Sequence, residues 1–280
     1  MSSSISMRDL LEAGVHFGHQ TSRWNPKMAP YIYGDRDGVH IINLGKTLRL
    51  LRDAMNFISR TVAGGGDVLF IGTKRQAQEV ITEEAERCGM PSITNRWLGG
   101  MLTNFTTIRK SIERLEEVEK HLSEGQVERL TKKEIIMFER ERDKLLKNLG
   151  GIRKMEKLPA AVFIVDPHRE KIAIKEARRL KIPIIALCDT NCNPDEADYP
   201  IPGNDDAIRA IRLFAAGIAD TVLTSTTVAS KQMVDGFQKT FTAEGDTVTA
   251  TSSDEAQVDV VRRGTKPAAT EEATTEEAAE

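Results

Sequence analysis

Three short apolar runs, each followed by a helical pattern, constrain the fold of this chain more than any other feature. The runs are Val68–Ile71 (VLFI), Ala161–Val165 (AVFIV) and Ile184–Cys188 (IIALC). Helical patterns follow them over residues 76–88, 170–180 and 205–221. Strands that lack polar alternation and are separated by helices form parallel sheets covered on both faces. The sequence therefore predicts a doubly wound α/β body.

Two elements are predicted before the first run. A helix is expected over residues 46–62, where Leu48, Leu51, Met55 and Ile58 recur at helical spacing. A β-hairpin is expected over residues 31–42, because the turn sequence GDRDG separates two apolar segments.

Between residues 105 and 148 the alternation of strands and helices stops. One helical face carries Ile108, Ile112, Leu115 and Leu122, and a second series steps by three and four through Ile135, Phe138, Arg142, Leu145 and Leu149. The segment Ser123-Glu124-Gly125 offers a break, and Thr131 with Glu134 forms a capping-box pattern. This pattern predicts an inserted antiparallel coiled-coil hairpin, a projecting arm of a kind that assembly proteins use to reach partners.

The net charge of −3 conceals an asymmetry along the chain. Residues 241–280 hold ten acids and three bases, a net charge of −7, so residues 1–240 carry +4. The tail from residue 241 is expected to be disordered, because it has few large apolar residues. The mildly basic remainder is compatible with RNA binding.

Cysteine usage and hydropathy indicate the cellular compartment. The three cysteines, Cys88, Cys188 and Cys192, do not form a disulfide framework and are interpreted as apolar packing residues. No apolar run reaches the roughly 20 residues that span a membrane, and the first residues lack a secretory signal. A cytoplasmic protein without a membrane partner is expected.

Two segments invite a phosphate-site interpretation. The run GVHIINLGKT at residues 38–47 has six residues between its glycine and Gly-Lys-Thr, whereas a P-loop has four. The turn Gly72-Thr73-Lys74-Arg75 is better placed, because it joins a strand end to a helix start, where anions bind. Lys74 and Arg75 would contact a cofactor phosphate in an enzyme or the RNA backbone in an RNA-binding protein; a solvated helix start is the alternative.

His19, Asp189 and Asp205 form a candidate metal site. Asp189 follows a strand and Asp205 starts a helix, so both are expected at the carboxyl edge of the sheet. Imidazole and carboxylate groups are zinc ligands, and a structural zinc ion could tie the amino-terminal segment to this edge. The alternative is a hydrogen-bonded histidine that anchors the segment without metal.

Aromatic and basic residues lie side by side in two clusters. They are Arg23-Trp24-Asn25-Pro26-Lys27 and Asn95-Arg96-Trp97. Arginine can contact phosphate while tryptophan stacks on an exposed base. Core tryptophans flanked by surface arginines are an equally weighted alternative.

Long ordered motifs from about residue 7 to residue 225 resemble one known family. They are GVHFGHQTSRWNPKMAPYIYG, DGVHIINLGKT, FIGTKRQAQ, RWLGGMLTNF and VDPHREKIAIKEARRLKIPIIALCDTNCNPDEADYPIPGNDDAIRAI. The chain resembles the bacterial small-subunit ribosomal proteins of universal family two. The Thr/Ala/Glu-rich tail departs from that family, so nothing about the tail is inferred from the resemblance.

The resemblance implies a fold and a domain layout. The fold is a flavodoxin-like three-layer α/β/α domain over residues 31–104 and 149–230, with the coiled-coil hairpin inserted at residues 105–148. An amino-terminal segment, residues 1–30, precedes it, and the acidic tail, residues 241–280, follows.

The resemblance also implies a non-catalytic structural role in the ribosome. The expected partners are small-subunit rRNA between head and body, neighbouring small-subunit proteins and the large first small-subunit protein, which helps to recruit mRNA. No small-molecule substrate and no required cofactor are expected. The candidate RNA-binding residues are Arg23, Trp24, Lys27, Lys74, Arg75, Arg96, Trp97, Arg109 and Lys110. An enzyme with a phosphorylated ligand at the Gly72–Arg75 turn and a protein adaptor that uses only the arm are the alternatives.

Overall fold

A five-stranded parallel sheet organises the computed structural model, which describes residues 5–123 and 131–243. Its strands are β4 (Val68–Ile71), β5 (Ser92–Ile93), β6 (Ala161–Val165), β7 (Ile184–Cys188) and β8 (Tyr199–Pro202). They lie in the order β5-β4-β6-β7-β8, with all four pairings parallel. This is the flavodoxin-like order. The predicted α/β body is confirmed, and the three predicted strands have the predicted limits.

Seven helices accompany the strands in the described part of the chain. They are α1 (Met7–Glu12), α2 (Leu44–Ala63), α3 (Arg75–Cys88), α4 (Phe105–Ser123), α5 (Lys132–Leu149), α6 (Lys171–Arg179) and α7 (Ile208–Ala243). The sequence predicted α2, α3 and α6 to within two residues at each end. α7 continues well beyond the predicted end at residue 221. No helix within residues 5–123 and 131–243 has the length and apolar character needed to cross a bilayer.

The sheet has a separate apolar core on each face. Val68 and Phe70 of β4 face one core, whereas Leu69 and Ile71 face the other. The first core also takes in buried residues of α2, α3 and α7, and the second takes in buried residues of α6 and the start of α4. Because side chains alternate between the faces of a strand, a strand between two cores is apolar at every position.

A three-stranded antiparallel sheet precedes the main sheet. Its strands are β1 (Phe17–Gln20), β2 (Ile32–Arg36) and β3 (Val39–Ile42), in the order β1-β3-β2. The predicted hairpin is confirmed as β2 and β3. Asp37 and Gly38 at its turn both have positive φ, 53° and 76°, as tight hairpin turns require.

α4 and α5 pack against each other at the predicted position of the arm. Arg114 of α4 lies 3.1 Å from Glu141 of α5, and the His121 ring stacks on Phe138. Leu115 and Val118 of α4 are fully buried. The predicted capping box at Thr131 is confirmed by its reciprocal hydrogen bonds with Glu134. The predicted break at residues 124–125 lies outside the described residues.

Both sheets belong to a compact unit that ends at Gly236. The described part of the second unit consists of residues 237–243, which end α7. The tail predicted to be disordered lies outside the described residues from position 244 onward.

Candidate metal centre and nucleic-acid interface

The amino-terminal segment lies against the loops at the carboxyl edge of the parallel sheet. The backbone N–H of Asn25 donates a hydrogen bond to the Thr190 carbonyl at 2.8 Å, and the backbone N–H of His19 donates to Thr190 Oγ1 at 2.9 Å. The backbone N–H of Asn204 donates to the Val15 carbonyl at 3.1 Å. The loops that follow β7 and β8 therefore hold β1 and its flanks in place.

His19, Asp189 and Asp205 converge at this edge, as the sequence predicted. Nδ1 of His19 lies 2.8 Å from Oδ2 of Asp189. Their potential ligand atoms and one from Asp206 all lie within 4.8 Å of one another. Asp206, which sequence reasoning missed, lies 3.6 Å from Nε2 of His19. The sequence feature that could have identified Asp206 is its position directly after Asp205.

One carboxylate oxygen of this cluster is buried without a hydrogen bond, and a second faces only the His19 ring. They are Oδ2 of Asp205 and Oδ2 of Asp189, whose residues are 0% and 1% exposed. A buried charged oxygen without a partner is costly. Burial, with repulsion from Asp189 and Asp166, raises the pKa of Asp205 to about 7. The Asp189 carboxylate raises the pKa of His19. Three carboxylates and one imidazole thus share this site with a single ammonium group, that of Lys74.

The donor set fits a divalent metal ion. Histidine nitrogen and carboxylate oxygen are both zinc ligands, and the unpaired oxygen belongs to Asp205, one of the residues that would supply them. A second buried group, Asp166, Cys192 and Asp205, shares Asp205 with the first. The backbone of Asp166 in this second group has a left-handed conformation, with φ 63°.

The structure corrects the expectation that Lys74 contacts RNA phosphate. Lys74 is only 9% exposed, and its Nζ lies 2.7 Å from Oδ1 of Asp205 and 2.6 Å from Oδ1 of Asp206. Burial lowers the pKa of Lys74, but these carboxylates outweigh that effect and raise it. Lys74 is therefore a buried ammonium paired with the carboxylates of the candidate metal centre.

The same contacts weaken the case for a phosphorylated ligand at the Gly72–Arg75 turn. The Thr73 hydroxyl donates to the buried Glu170 carboxylate, so Thr73 and Lys74 are both engaged within the protein. Arg75 is exposed.

Trp97 is also not available to stack on a base. It is 6% exposed, and its indole nitrogen donates to Oε1 of Glu176 at 3.2 Å. The alternative of a core tryptophan beside a surface arginine is the one observed, because Arg96 is exposed.

The remaining candidate RNA-binding residues lie on the surface. Trp24 is 41% exposed with its ring 5.3 Å from that of His40, and Nζ of Lys27 lies 2.5 Å from Asp195. Nη1 of Arg109 donates to the Glu156 carbonyl at 3.0 Å. The candidates exposed to solvent are Arg23, Trp24, Lys27, Arg75, Arg96, Arg109 and Lys110.

Burial raises the pKa of all three thiols, Cys88, Cys188 and Cys192. A raised pKa disfavours the thiolate, which is the nucleophilic form. This is consistent with the interpretation of these residues as packing residues.

Comparisons with known proteins agree with the motif resemblance. The family described as ribosomal protein S2 matches residues 10–225. The small ribosomal subunit protein uS2 of Solidesulfovibrio magneticus is 60% identical over 219 residues, 78% of this chain and 85% of that protein. Its namesake from Lawsonia intracellularis is 61% identical over 219 residues, 78% of this chain and 75% of that protein. The protein of that name from Koribacter versatilis is 54% identical over 241 residues, 86% of this chain and 80% of that protein.

Proposed function

This chain belongs to the ribosomal protein S2 family, and from that premise we propose that it is a non-catalytic structural component of the small ribosomal subunit. The observation that carries the proposal is the family match over residues 10–225, which includes the parallel sheet and the candidate metal centre. The ligand of the protein is small-subunit rRNA between head and body, and its role is to support translation.

Exposed basic side chains support the proposal of rRNA binding. Arg23 and Lys27 flank the half-exposed Trp24 on the amino-terminal segment. Arg75 is exposed at the start of α3, and Arg96 is exposed in the loop that follows β5. Phosphate contacts from such residues supply much of the affinity of RNA-binding proteins and make it dependent on salt. Trp24 is the aromatic residue of the candidate set that can stack on a base.

The α4–α5 pair supports the proposal of a coiled-coil arm inserted in the α/β domain. Its buried seam includes Leu115 and Val118, while Arg109 and Lys110 are exposed. A projecting helical pair adds contact surface for rRNA or neighbouring proteins without enlarging the domain core.

Docking of the large mRNA-binding first protein is the finer part of the proposal. Large apolar side chains are exposed at a higher density in residues 5–33 than in the rest of the described chain. Besides Trp24, they are Met7, Leu11, Phe17 and Tyr33, the last 79% exposed. We assign the docking surface to this amino-terminal group.

A structural zinc ion held by His19, Asp189, Asp205 and Asp206 is also part of the proposal. Bound there, the ion would stabilise the ionised carboxylates. His19 belongs to β1 of the small sheet, whereas the aspartates follow β7 and β8 of the main sheet. These residues would hold the amino-terminal segment and its exposed apolar group in a fixed position.

Co-sedimentation with small ribosomal subunits that lack this protein tests the proposed function. The chain should sediment with the subunits at low salt and bind naked small-subunit rRNA with an affinity that falls steeply as salt increases. Failure to join subunits at any salt concentration would overturn the proposal, and salt-independent binding would exclude phosphate contacts as its basis.

A further inference from the structure

Helix α6 exposes basic side chains and no acidic side chain. Its exposed residues are Lys171, Ile172, Lys175, Arg178 and Arg179, and the exposed bases Arg169 and Lys181 lie just beyond its two ends. The segment contains two acids, Glu170 and Glu176, but they are only 3% and 8% exposed. The linear sequence therefore understates the positive charge on this surface.

Both acids turn inward because each has hydrogen-bond donors there. The Thr73 hydroxyl donates to Glu170. Glu176 accepts from the amides of Gly100, Leu102 and Thr103, as well as from Trp97 and the Thr103 hydroxyl. A carboxylate held in this way cannot rotate outward to pair with a lysine on the outer face. The exposed bases of α6 consequently have no acidic partner within their own helix.

The helix arranges its bases as a stripe. Lys171, Lys175, Arg178 and Arg179 are separated by four, three and one positions, and at 100° per residue they fall within an arc of about 100°. At 1.5 Å per residue the stripe is about 12 Å long. It is long enough to contact more than one phosphate of a nucleic-acid strand.

Asp195 lies beside this stripe, but its carboxylate is already engaged. Arg178 donates to the backbone carbonyl of Asp195, and the Asp195 carboxylate lies 2.5 Å from Nζ of Lys27. By contrast, α3 exposes Glu79, Glu83 and Glu86. α3 also exposes the bases Arg75 and Arg87, so its surface carries charges of both signs, unlike the surface of α6.

We propose that the outer face of α6 binds the sugar-phosphate backbone of rRNA; this inference rests on the proposed function and names a surface for it. The face offers flexible cations and one exposed apolar residue, Ile172, which is 56% exposed. Protein interfaces are depleted of lysine and centred on apolar or aromatic residues, whereas phosphate contacts use lysine and arginine. The chemistry therefore favours a polyanion over a folded protein, and the binding is independent of base sequence.

A double variant with a charge-matched control tests the surface. Lys175→Gln with Arg179→Gln removes two bases from the stripe. Arg8→Gln with Arg212→Gln removes two bases that lie at 2.8 Å from Glu12 and 3.0 Å from Glu83. Both variants change the net charge equally. Thermal unfolding of each should match the unmodified chain, because all four side chains are exposed.

The measured quantity is affinity for naked small-subunit rRNA at several salt concentrations. The stripe variant should bind more weakly, with a slope of log K against log salt shallower by about one to two, since each lost phosphate contact removes about 0.7–0.9. The control variant should retain the unmodified slope. An unchanged slope in the stripe variant overturns the α6 assignment and leaves the proposed function intact, whereas no rRNA binding by the unmodified chain overturns both. If the stripe variant binds rRNA normally but joins subunits poorly, α6 contacts an acidic protein instead, and the RNA assignment is wrong.

Discussion

The Glu176 carboxylate accepts a hydrogen bond from the indole nitrogen of Trp97 at 3.2 Å, and this contact joins helix α6 to the loop that leads into α4. Oε1 also accepts from the Gly100 amide at 2.7 Å, and Oε2 accepts from Leu102 and Thr103. Burial raises the pKa of Glu176, but the hydrogen bonds from Gly100, Thr103 and the other donors outweigh it and lower the net pKa. One carboxylate thus fixes the loop from which α4 begins.

Replacing Glu176 by Gln should lower the free energy of unfolding by about 2–3 kcal/mol. The substitution puts an NH2 group where backbone N–H groups point and removes the negative charge that strengthens these bonds. Urea unfolding measures the change. Glu79→Gln, at an exposed position of α3, should stay within about 0.5 kcal/mol of the unmodified chain, and an equal effect of both substitutions would refute a special role for Glu176.

Lys74→Gln should destabilise the protein far more than Arg75→Gln. Lys74 is buried between Asp205 and Asp206, and its removal leaves carboxylates without their cation, at a cost of about 3 kcal/mol. Arg75 is exposed, so its replacement should change stability by less than about 0.5 kcal/mol but weaken rRNA binding. Unfolding and rRNA titration of both variants separate these effects. A stable Lys74→Gln protein that loses rRNA affinity would restore the phosphate-contact hypothesis for Lys74.

Elemental analysis should find one zinc ion per chain in the purified protein, and His19→Ala should lower that content. His19 is the nitrogen donor among residues whose ligand atoms lie within 4.8 Å of one another. His168→Ala removes an exposed histidine outside this group and should leave the zinc content unchanged. Equal zinc content in the unmodified chain and the His19→Ala chain would eliminate the site.

Without metal, the contribution of this cluster to the stability of the protein should fall as pH rises from about 4 to about 7. The folded state raises the pKa of Asp205 from 3.8 to about 7, so over that range it binds more protons than the unfolded state. The raised pKa of His19 acts in the same direction, because its contribution is present below 6.5 and is lost as pH rises through the folded-state pKa. Urea unfolding in a chelator at a series of pH values measures this trend. Asp205→Asn should flatten it, and an identical pH profile in that variant would contradict the assignment.

Leu115→Ala should loosen the α4–α5 pair while the α/β domain stays folded. Leu115 is 0% exposed, and truncation of a fully buried leucine costs about 2–5 kcal/mol. Helices of this length are marginal in isolation, so their order depends on packing along the seam. Amide hydrogen exchange should show faster exchange in α4 and α5 than in β4, β6 and β7. Met137→Ala, at a position that is 61% exposed, serves as the control and should leave exchange unchanged.

The sequence by itself determined the central strands β4, β6 and β7. Each lies between two apolar cores, so every residue is apolar and the limits are visible as breaks in hydropathy. It did not reveal β5, which has only two residues, or β8, which contains Pro200 and Pro202. Both are edge strands, where short length and proline are tolerated, so their pairing depends on the neighbouring strand rather than on a local pattern.

The sequence also placed His19, Asp189 and Asp205 together, because residues after parallel strands meet at one edge of the sheet. Only the tertiary structure decided which charged groups face inward. Lys74 meets Asp205 across 131 positions of the chain, and Trp97 meets Glu176 across 79. Local periodicity reports the face on which a residue lies, but a polar side chain is buried only where distant residues supply its hydrogen-bond partners. For that reason the sequence assigned Lys74 and Trp97 to the RNA surface and missed the stripe of basic residues on α6. The inward turn of Glu170 and Glu176 leaves that stripe without an acidic partner in its own helix.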